Sequence, residues 1–301
     1  MNLASRLLRN AGMKQPLIVN YGMGVDSTAM LIGLRARGIQ PDLVIFADTG
    51  SEKPSTYAYL ATMNAWLAAN GMPSITVVRR YGADGQFGLT SKASKTGPGY
   101  SSLEGNCLQN ETMPSLAYGR KSCSLKWKAE PMDAWLRTWA PAVEAWAAGV
   151  KPIKAIGYDC GAADSKRAVD RSEDAKFAFW YPLRDWGWTR EDCIAAIEAA
   201  GLPVPTKSAC FFCPASKPWE VALLALETPD LFVRAIELED GSQAKNVTAV
   251  GLWRSATKTR PGSWRTWAEQ EGILAPGTTT VVATVDSLRR KVQGLRPAGA
   301  R

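Results

Sequence analysis

Short apolar runs alternate with helix-spaced apolar residues along the first 80 positions of the chain. Three runs have the length and the flanking turn residues of buried strands: Pro16–Tyr21, Asp42–Asp48 and Ile75–Val78. Two intervening stretches carry apolar residues at helical spacing and end before a glycine: Ser27–Arg37 and Tyr57–Asn70. This order predicts an α/β fold built on a doubly wound, mostly parallel sheet.

The pattern changes after residue 80. Residues 80–122 are rich in Gly, Ser, Asn and Lys without periodicity, which predicts a functional lid or a disordered segment. Three later segments are again periodic or strand-like: a helix over Leu125–Ala148 broken near Pro141, a strand over Ile153–Tyr158, and a helix over Thr189–Ala200 capped by Thr189. Beyond them we expect short helices and loops. The predicted organisation is an α/β domain over residues 1–215 and a small helical or loop appendage over residues 216–301.

Composition argues against a membrane protein, a secreted protein and an enzyme that uses histidine. No apolar run reaches the roughly 18 residues that a membrane span needs, and the first ten residues lack the apolar stretch and cleavage pattern of a secretion signal. These features predict a cytoplasmic protein with no membrane partner, whose thiols stay reduced. The chain contains no histidine. That excludes histidine-based triads, histidine-ligated zinc and the commonest general base.

The positive charge is concentrated near the end of the chain. The formal net charge is +8, and residues 254–301 carry nine basic residues against three acidic ones. A basic tail favours polyanionic partners, although a solvated surface that aids solubility explains the charge equally well.

The segment Tyr21–Ser27 (YGMGVDS) is the strongest chemical signal. Gly22 and Gly24 would let the backbone approach a phosphate, and the following helix N-terminus offers N–H groups to an anion. Asp26 could hold magnesium or fix the turn, while Ser27 could donate to phosphate and cap the helix. The alternative is a glycine turn that binds nothing. The segment fits neither a Walker loop, which needs Gly-Lys-Ser/Thr, nor the dinucleotide fingerprint.

This segment resembles the PP-loop motif in a relaxed Gly-x-Gly-x-Asp-Ser form. Further segments are similar to phosphoadenosine-phosphosulfate (PAPS) reductases: Phe46–Gly50 with Glu52, Pro54 and Tyr57; Gly157 with Asp164, Ser165 and Arg167; and Tyr181–Leu183 with Asp185, Trp186 and Asp192. The similar segments follow in order between Pro16 and Trp219. By this resemblance the chain is identified as a member of the PP-loop superfamily, similar to PAPS reductases.

The resemblance implies an adenine-nucleotide site that takes ATP, or PAPS or APS, together with Mg²⁺. The residues it assigns to catalysis or to nucleotide binding are Tyr21, Gly22, Gly24, Asp26, Ser27, Asp48, Gly157 and Arg167. Asp48 would lie by the adenosine or the magnesium. Arg167 would clamp the leaving anion, because a planar guanidinium binds phosphate bidentately. The alternatives are a strand-end helix cap for Asp48 and a surface ion pair for Arg167.

Four of the six cysteines are candidate metal ligands: Cys107, Cys123, Cys210 and Cys213. Cys210 and Cys213 form a Cys-x-x-Cys turn before a proline, and some proteins of the resembled family carry a [4Fe–4S] cluster on four cysteines. A four-cysteine zinc site and the absence of any metal are the alternatives. Cys160 could replace Cys107 as a ligand, whereas Cys193 is expected to pack in a helix core.

The chain departs from PAPS reductases in two places. It has no cysteine after Cys213, so the C-terminal nucleophile is missing, and Asp159 stands where reductases usually carry an arginine. We therefore expect adenylation by ATP with release of pyrophosphate, supporting sulfur transfer from a donor protein or modification of a nucleic acid or nucleotide. The alternatives are a sulfonucleotide reductase that uses Cys160 or Cys123, and a non-catalytic nucleotide-binding subunit of a modification complex.

Tryptophans and arginines are interleaved in two C-terminal segments, Gly251–Ser255 and Gly262–Trp267. Such residues can stack bases and neutralise phosphates. The alternative is a small apolar core with arginines at its edge.

Overall fold

The computed structural model describes residues 15–80, 100–114, 122–162, 164–165 and 173–297. In this part of the chain one parallel sheet of order β3-β2-β1-β4-β5 is formed by β1 (Leu17–Asn20), β2 (Leu43–Asp48), β3 (Ile75–Arg79), β4 (Ile153–Ile156) and β5 (Ala178–Trp180). The strand β1 is central, and its Ile18 is in register with Leu43 of β2 and with Lys154 of β4. The predicted α/β fold with a doubly wound parallel sheet is confirmed, and the arrangement is Rossmann-like.

Helices cover both faces of the sheet and form the C-terminal region. In chain order they are α1 (Val25–Ala36), α2 (Pro54–Ala69), α3 (Leu103–Asn110), α4 (Ser122–Ser124), α5 (Glu130–Leu136), α6 (Ala140–Ala147), α7 (Pro182–Asp185), α8 (Arg190–Ala199), α9 (Pro218–Glu227), α10 (Pro229–Lys245), α11 (Trp264–Gln270) and α12 (Val285–Leu295). A π-helical turn, Leu125–Ala129, joins α4 to α5.

The alternation of side chains along each strand divides the core between the two faces. Leu17 and Val19 pack with α1, α2 and α8, while Ile18 between them packs with α5 and α6. Strands that are buried on both faces have continuous apolar sequences, which is why β1 to β4 could be predicted from the sequence. The three-residue strand β5 was not predicted because it is too short to show a pattern.

Two predicted elements need correction. The predicted lid or disordered segment 80–122 contains the helix α3, begun by the Ser102 side chain accepting from Gly105 N. The predicted short helices after residue 215 include α9 and α10, of 10 and 17 residues, each started by a proline in its first turn. The break expected near Pro141 in the helix over 125–148 is confirmed, at residues 137–139.

The C-terminal helices pack around an apolar core that they share with earlier segments of the chain. Trp253, Trp264 and Trp267 are buried there, packed edge-on or tilted against one another. The same core includes Phe212 and Trp127 from the part of the chain before residue 215. The packing interpretation of the Trp/Arg segments is therefore confirmed, because buried indoles cannot stack on bases.

None of the helices within the described residues combines the length and the apolar composition that a membrane crossing requires.

Candidate functional site

A cavity opens at the carboxyl ends of the two central strands. Its volume is about 710 Å³, and it is lined by Gly22 and Gly24 after β1 and by Ile156 and Gly157 at the end of β4. Strand order reverses between β1 and β4, and open parallel sheets bind ligands at such a reversal. The predicted nucleotide segment therefore lies at the position in the fold that most favours a ligand.

Ser27 holds the glycine loop together. Its Oγ accepts from Gly22 N at 3.2 Å and from Gly24 N at 3.3 Å, and it donates to Gly24 O at 3.2 Å. Met23 adopts a left-handed backbone with φ of 59°, uncommon for a residue with a side chain. The first intrahelical bond of α1 runs from Thr28 N to Gly24 O, so the amides of the first turn remain directed to the loop.

The space around the backbone differs between two glycines of the site, Gly157 and Gly24. A Cβ on Gly157 would lie 2.9 Å from both the Cα and the N of Ser27, so the end of β4 can approach the loop only as glycine. A Cβ on Gly24 would meet nothing within 4 Å among the described residues. Packing within the protein requires glycine at 157 but not at 24, and close approach of a ligand backbone or phosphate is the usual second reason for a loop glycine.

Three carboxylates meet beside the loop. Asp26, Asp159 and Asp164 each present an oxygen within 4.8 Å of the others, the only such group of potential metal ligands among the described residues. Oxygen donors from carboxylates are what Mg²⁺ uses, with water and phosphate completing its shell. Asp26 was predicted, Asp164 was part of the resembled loop, and Asp159 was noted only as a departure.

Asp26 is also tied to Arg190 at the start of α8. The Arg190 Nη1 lies 2.7 Å from Asp26 Oδ1. Burial raises the pKa of Asp26, Arg190 opposes that rise, and the charges of Asp159 and Asp164 add to it. Arg190 lies 164 positions from Asp26 in the chain, so no local pattern could have identified it.

Residues 204–220 build a second wall of the cavity. It carries Lys207, Ser208, Lys217, Trp219 and Glu220, none of which sequence analysis selected for this site. Two polar atoms on the cavity lining are buried without a hydrogen-bond partner among the described residues, Asn20 Oδ1 and Ser208 Oγ. Unsatisfied buried oxygens at a cavity surface fit a site that takes a polar ligand.

Two predicted nucleotide-binding residues lie off this cavity. Asp48, at the end of β2, accepts from Gly50 N at 2.7 Å and from the Tyr57 hydroxyl at 2.8 Å, and it pairs with Arg79. Tyr21 is buried, and its hydroxyl lies 3.0 Å from Thr28 Oγ1. Their roles in nucleotide binding stay predictions, and Arg167 lies outside the described residues.

The candidate metal cysteines fall beside the C-terminal core. Cys107, Cys210 and, at its edge, Cys123 belong to one apolar cluster, and Cys213 closes the Cys-x-x-Cys turn by donating its N–H to Cys210 O. Burial and the neighbouring Cys123 raise the pKa of Cys107 to about 12. No three of the six thiols lie within 4.8 Å of one another, so one zinc ion would require them to move closer. A [4Fe–4S] cluster has wider spacing and stays a prediction.

A buried polar group adjoins Cys210. The Thr49 Oγ1 lies 3.1 Å from Cys210 Sγ, and Lys128 Nζ lies 2.9 Å from Glu52 Oε1. Glu52 Oε2 has no partner among the described residues. Burial raises the pKa of Cys210 well above its ordinary value, so as a free thiol it is a poor nucleophile.

The other two cysteines lie on the sheet side of the molecule. Cys160 Sγ points to Leu183 O at 3.9 Å, next to α7. Cys193 is buried in α8, as predicted. Neither belongs to the apolar cluster that holds Cys107 and Cys210.

The chain has no significant match among protein-family models or curated proteins. The relationship that its structure supports is therefore at the level of the Rossmann-like fold.

Proposed function

We propose that this chain is a Mg²⁺-dependent, PP-loop-type enzyme that binds ATP and transfers its adenylyl group to an acceptor. The observation that carries the proposal is the meeting of the Gly22–Ser27 loop with the carboxylates of Asp26, Asp159 and Asp164 at the strand reversal. A helix N-terminus suits phosphate, and three adjacent carboxylates suit the cation that accompanies it.

In the proposed reaction an acceptor oxygen attacks the α-phosphorus of ATP. A new P–O bond forms to the acceptor, the bond to the β-phosphate oxygen breaks, and pyrophosphate leaves with its electron pair. Magnesium would neutralise charge on the phosphates. The first-turn amides of α1 would hold the phosphates, and Arg190 would keep the Asp26 carboxylate oriented.

The carboxylate group favours metal-bound ATP over a sulfonucleotide. A sulfonucleotide without a metal would bring its negative charge against Asp26, Asp159 and Asp164, an unfavourable pairing. The reductase alternative therefore has less support than adenylation.

One feature supports sulfur transfer as the purpose of adenylation. The Cys210–Cys213 turn lies between Lys207 and Lys217, which both line the cavity. The charges of Lys207, Glu220 and Cys213 all act on the pKa of Lys53, so these groups are neighbours. A thiol or cluster at this turn would lie close to an activated acceptor.

The test is release of pyrophosphate and AMP or adenylylated product from labelled ATP, with and without candidate nucleotide and nucleic-acid acceptors. Adenylation predicts Mg²⁺-dependent pyrophosphate release that is lost in Asp26→Asn. Sulfite release from PAPS or APS would support a reductase instead. ATP binding with no turnover in the presence of every acceptor would support a non-catalytic subunit.

A further inference from the structure

The second wall of the cavity carries a positive charge that no described carboxylate offsets. Glu220 is already neutralised, since its Oε2 lies 2.7 Å from Lys207 Nζ and accepts from Lys217 N at 2.7 Å. The side chain of Lys217 is exposed and forms no ion pair with a carboxylate in the described part of the chain. Its ammonium therefore remains available at the cavity rim.

Arg296 stacks on an aromatic ring that lines the same cavity as Lys217. The Arg296 guanidinium stacks 4.8 Å from the centre of the Trp219 ring, and Trp219 lines the cavity together with Pro297. The Arg296 Nε is buried and has no hydrogen-bond partner among the described residues. Cation–π stacking orients the guanidinium, and the unpaired Nε shows that hydrogen bonds within the described residues do not use all of its donors.

The positive charge continues along α12 away from the cavity. Arg289 precedes Arg296, the C-cap residue of α12, by seven positions, so it lies about 10 Å further along the helix axis. Arg289 is exposed, and its pair with Asp286 at 3.4 Å is a surface contact of low strength. Lys217, Arg296 and Arg289 thus form a basic track that leads to the cavity mouth.

We infer that the acceptor is a nucleic-acid strand whose phosphates bind the basic track Lys217–Arg296–Arg289 while the reacting nucleotide enters the cavity beside Ser208 and Trp219. A phosphodiester chain matches a row of spaced, exposed cations better than a single small anion does. This inference rests on the proposed function, because the reacting nucleotide must meet ATP in the same cavity.

The basic track is separate from the groups assigned to ATP. The charged groups that act on the Asp26 carboxyl are Arg190, Asp159 and Asp164, all around the glycine loop. Lys217 and Arg296 instead belong to the wall formed by α9 and by the chain that follows α12.

The experiment is fluorescence anisotropy of labelled single-stranded DNA and RNA of one sequence, titrated with the full-length protein between about 50 and 200 mM salt. Lys217→Gln, Arg296→Gln and Arg289→Gln are compared with Lys258→Gln, an exposed C-terminal lysine away from the cavity lining. Each track variant is expected to weaken binding about fivefold at 0.1 M salt and to lower the salt slope by about 0.7, the contribution of one single-strand phosphate contact. Lys258→Gln should change neither value.

Two outcomes would overturn the inference: oligonucleotides that bind no tighter than a mononucleotide competitor, or track variants that bind like Lys258→Gln. Tighter binding of the DNA or of the RNA identifies which strand is the acceptor.

ATP titrations of the same proteins separate this inference from the proposed function. Arg289→Gln, at a residue outside the cavity lining, should keep wild-type ATP affinity, whereas Asp26→Asn should lose Mg²⁺-dependent ATP binding and keep its affinity for the strand. A wild-type protein that binds ATP but no strand contradicts only the nucleic-acid inference. One that binds the strand but not ATP contradicts the proposed function.

Discussion

At the scale of single residues, substitutions of Gly157 and Gly24 distinguish an effect on stability from an effect on ATP binding. Gly157→Ala would force a Cβ against the Ser27 backbone, so we expect a loss of about 1–3 kcal/mol in the free energy of unfolding, together with weaker ATP binding. Gly24→Ala has room in the protein and a φ of −107°, so we expect stability within about 0.5 kcal/mol of wild type.

The ATP affinity of Gly24→Ala tests why that glycine is there. If phosphate approaches the loop backbone, the substitution should weaken ATP binding at least about tenfold, roughly 1.4 kcal/mol. Urea unfolding and ATP titration of the two variants provide the measurement. Unchanged ATP affinity in a stable Gly24→Ala protein would show that the loop does not contact the nucleotide closely.

The ionised carboxylate of Asp26 is expected to lower the stability of the protein while it supports binding of Mg²⁺ and ATP. Its pKa in the folded protein is raised, mainly by burial, so the folded state favours the protonated form. The corresponding stability is fully present below the ordinary aspartate pKa and is lost as pH rises through the raised value. Asp26→Asn should therefore match wild type in acid and gain in Tm relative to wild type as pH increases.

Thermal unfolding of both proteins across pH, with and without Mg²⁺ and ATP, measures this effect. Mg²⁺ with ATP should stabilise the wild type and leave Asp26→Asn unchanged. A variant that is less stable than wild type at neutral pH would show that the Arg190 ion pair outweighs the burial of the carboxylate.

At the residue level, the sequence indicated those cavity-lining positions that lie close together in the chain. Gly22, Gly24, Asp26 and Ser27 fall within one short segment at the junction of β1 and α1, and the structure brings them to the cavity with Gly157. Arg190 and Lys217 reach the same cavity only through the fold. Their positions carry no local signal, since a helix-start arginine and a loop lysine are common on any surface.

At the scale of elements, one buried carboxylate organises the C-terminal region. Glu239 of α10 accepts from Leu252 N, Trp264 N and Arg265 N and from the Ser263 hydroxyl, at 2.6 to 2.9 Å. These bonds fasten the loop before α11 and the helix start to α10. Four donors on one carboxylate leave no place for an amide N–H.

Glu239→Gln should therefore lower the free energy of unfolding by about 2–4 kcal/mol, because the side-chain N–H of glutamine would face the N–H and hydroxyl donors of this buried site. Chemical unfolding measures this loss, and the exposed Glu237→Gln on the same helix serves as control. The ATP affinity of the folded Glu239→Gln protein should equal that of wild type, since the carboxylate does not line the cavity. Equal stability of the two variants would contradict this account.

The Cys-x-x-Cys turn provides a further prediction. We expect protein purified without oxygen to carry a cysteine-bound metal, with a [4Fe–4S] cluster favoured by the apolar surroundings of Cys107 and Cys210. Iron, zinc and acid-labile sulfide assays should show the metal lost in Cys210→Ser and kept in Cys193→Ser, which alters a cysteine of the other core. A wild-type protein without iron or zinc would rule out a metal at these thiols.

Elements were predictable in proportion to their burial. The strands β1 to β4 and the capped helix α8 have continuous apolar runs or a capping box, and both signals are local. The helices α9 and α10 are longer than the short helices expected there, and each has a proline in its first turn, where proline starts a helix. The helix α3 has too few apolar residues to show periodicity.

At the scale of the whole molecule, the parallel sheet follows from the order of its elements. Alternating strands and helices permit few right-handed arrangements, and a strand-order reversal places the loop after β1 beside the end of β4. The core that joins Trp127 and Phe212 to Trp264 and Trp267 could not be predicted, because it depends on packing between segments far apart in the chain. The position of the basic residues of α12 relative to the cavity likewise depends on where that helix packs, which the sequence does not show.

The central claim is that the Gly22–Ser27 loop and its three carboxylates bind ATP with magnesium. Calorimetric titration of the full-length protein with ATP, in Mg²⁺ and in a chelator, tests it most directly. The account predicts binding that requires Mg²⁺ and that Asp26→Asn abolishes, with PAPS or APS binding more weakly than ATP. Metal-independent binding of PAPS or APS in preference to ATP, or no binding of any of these nucleotides, would contradict it.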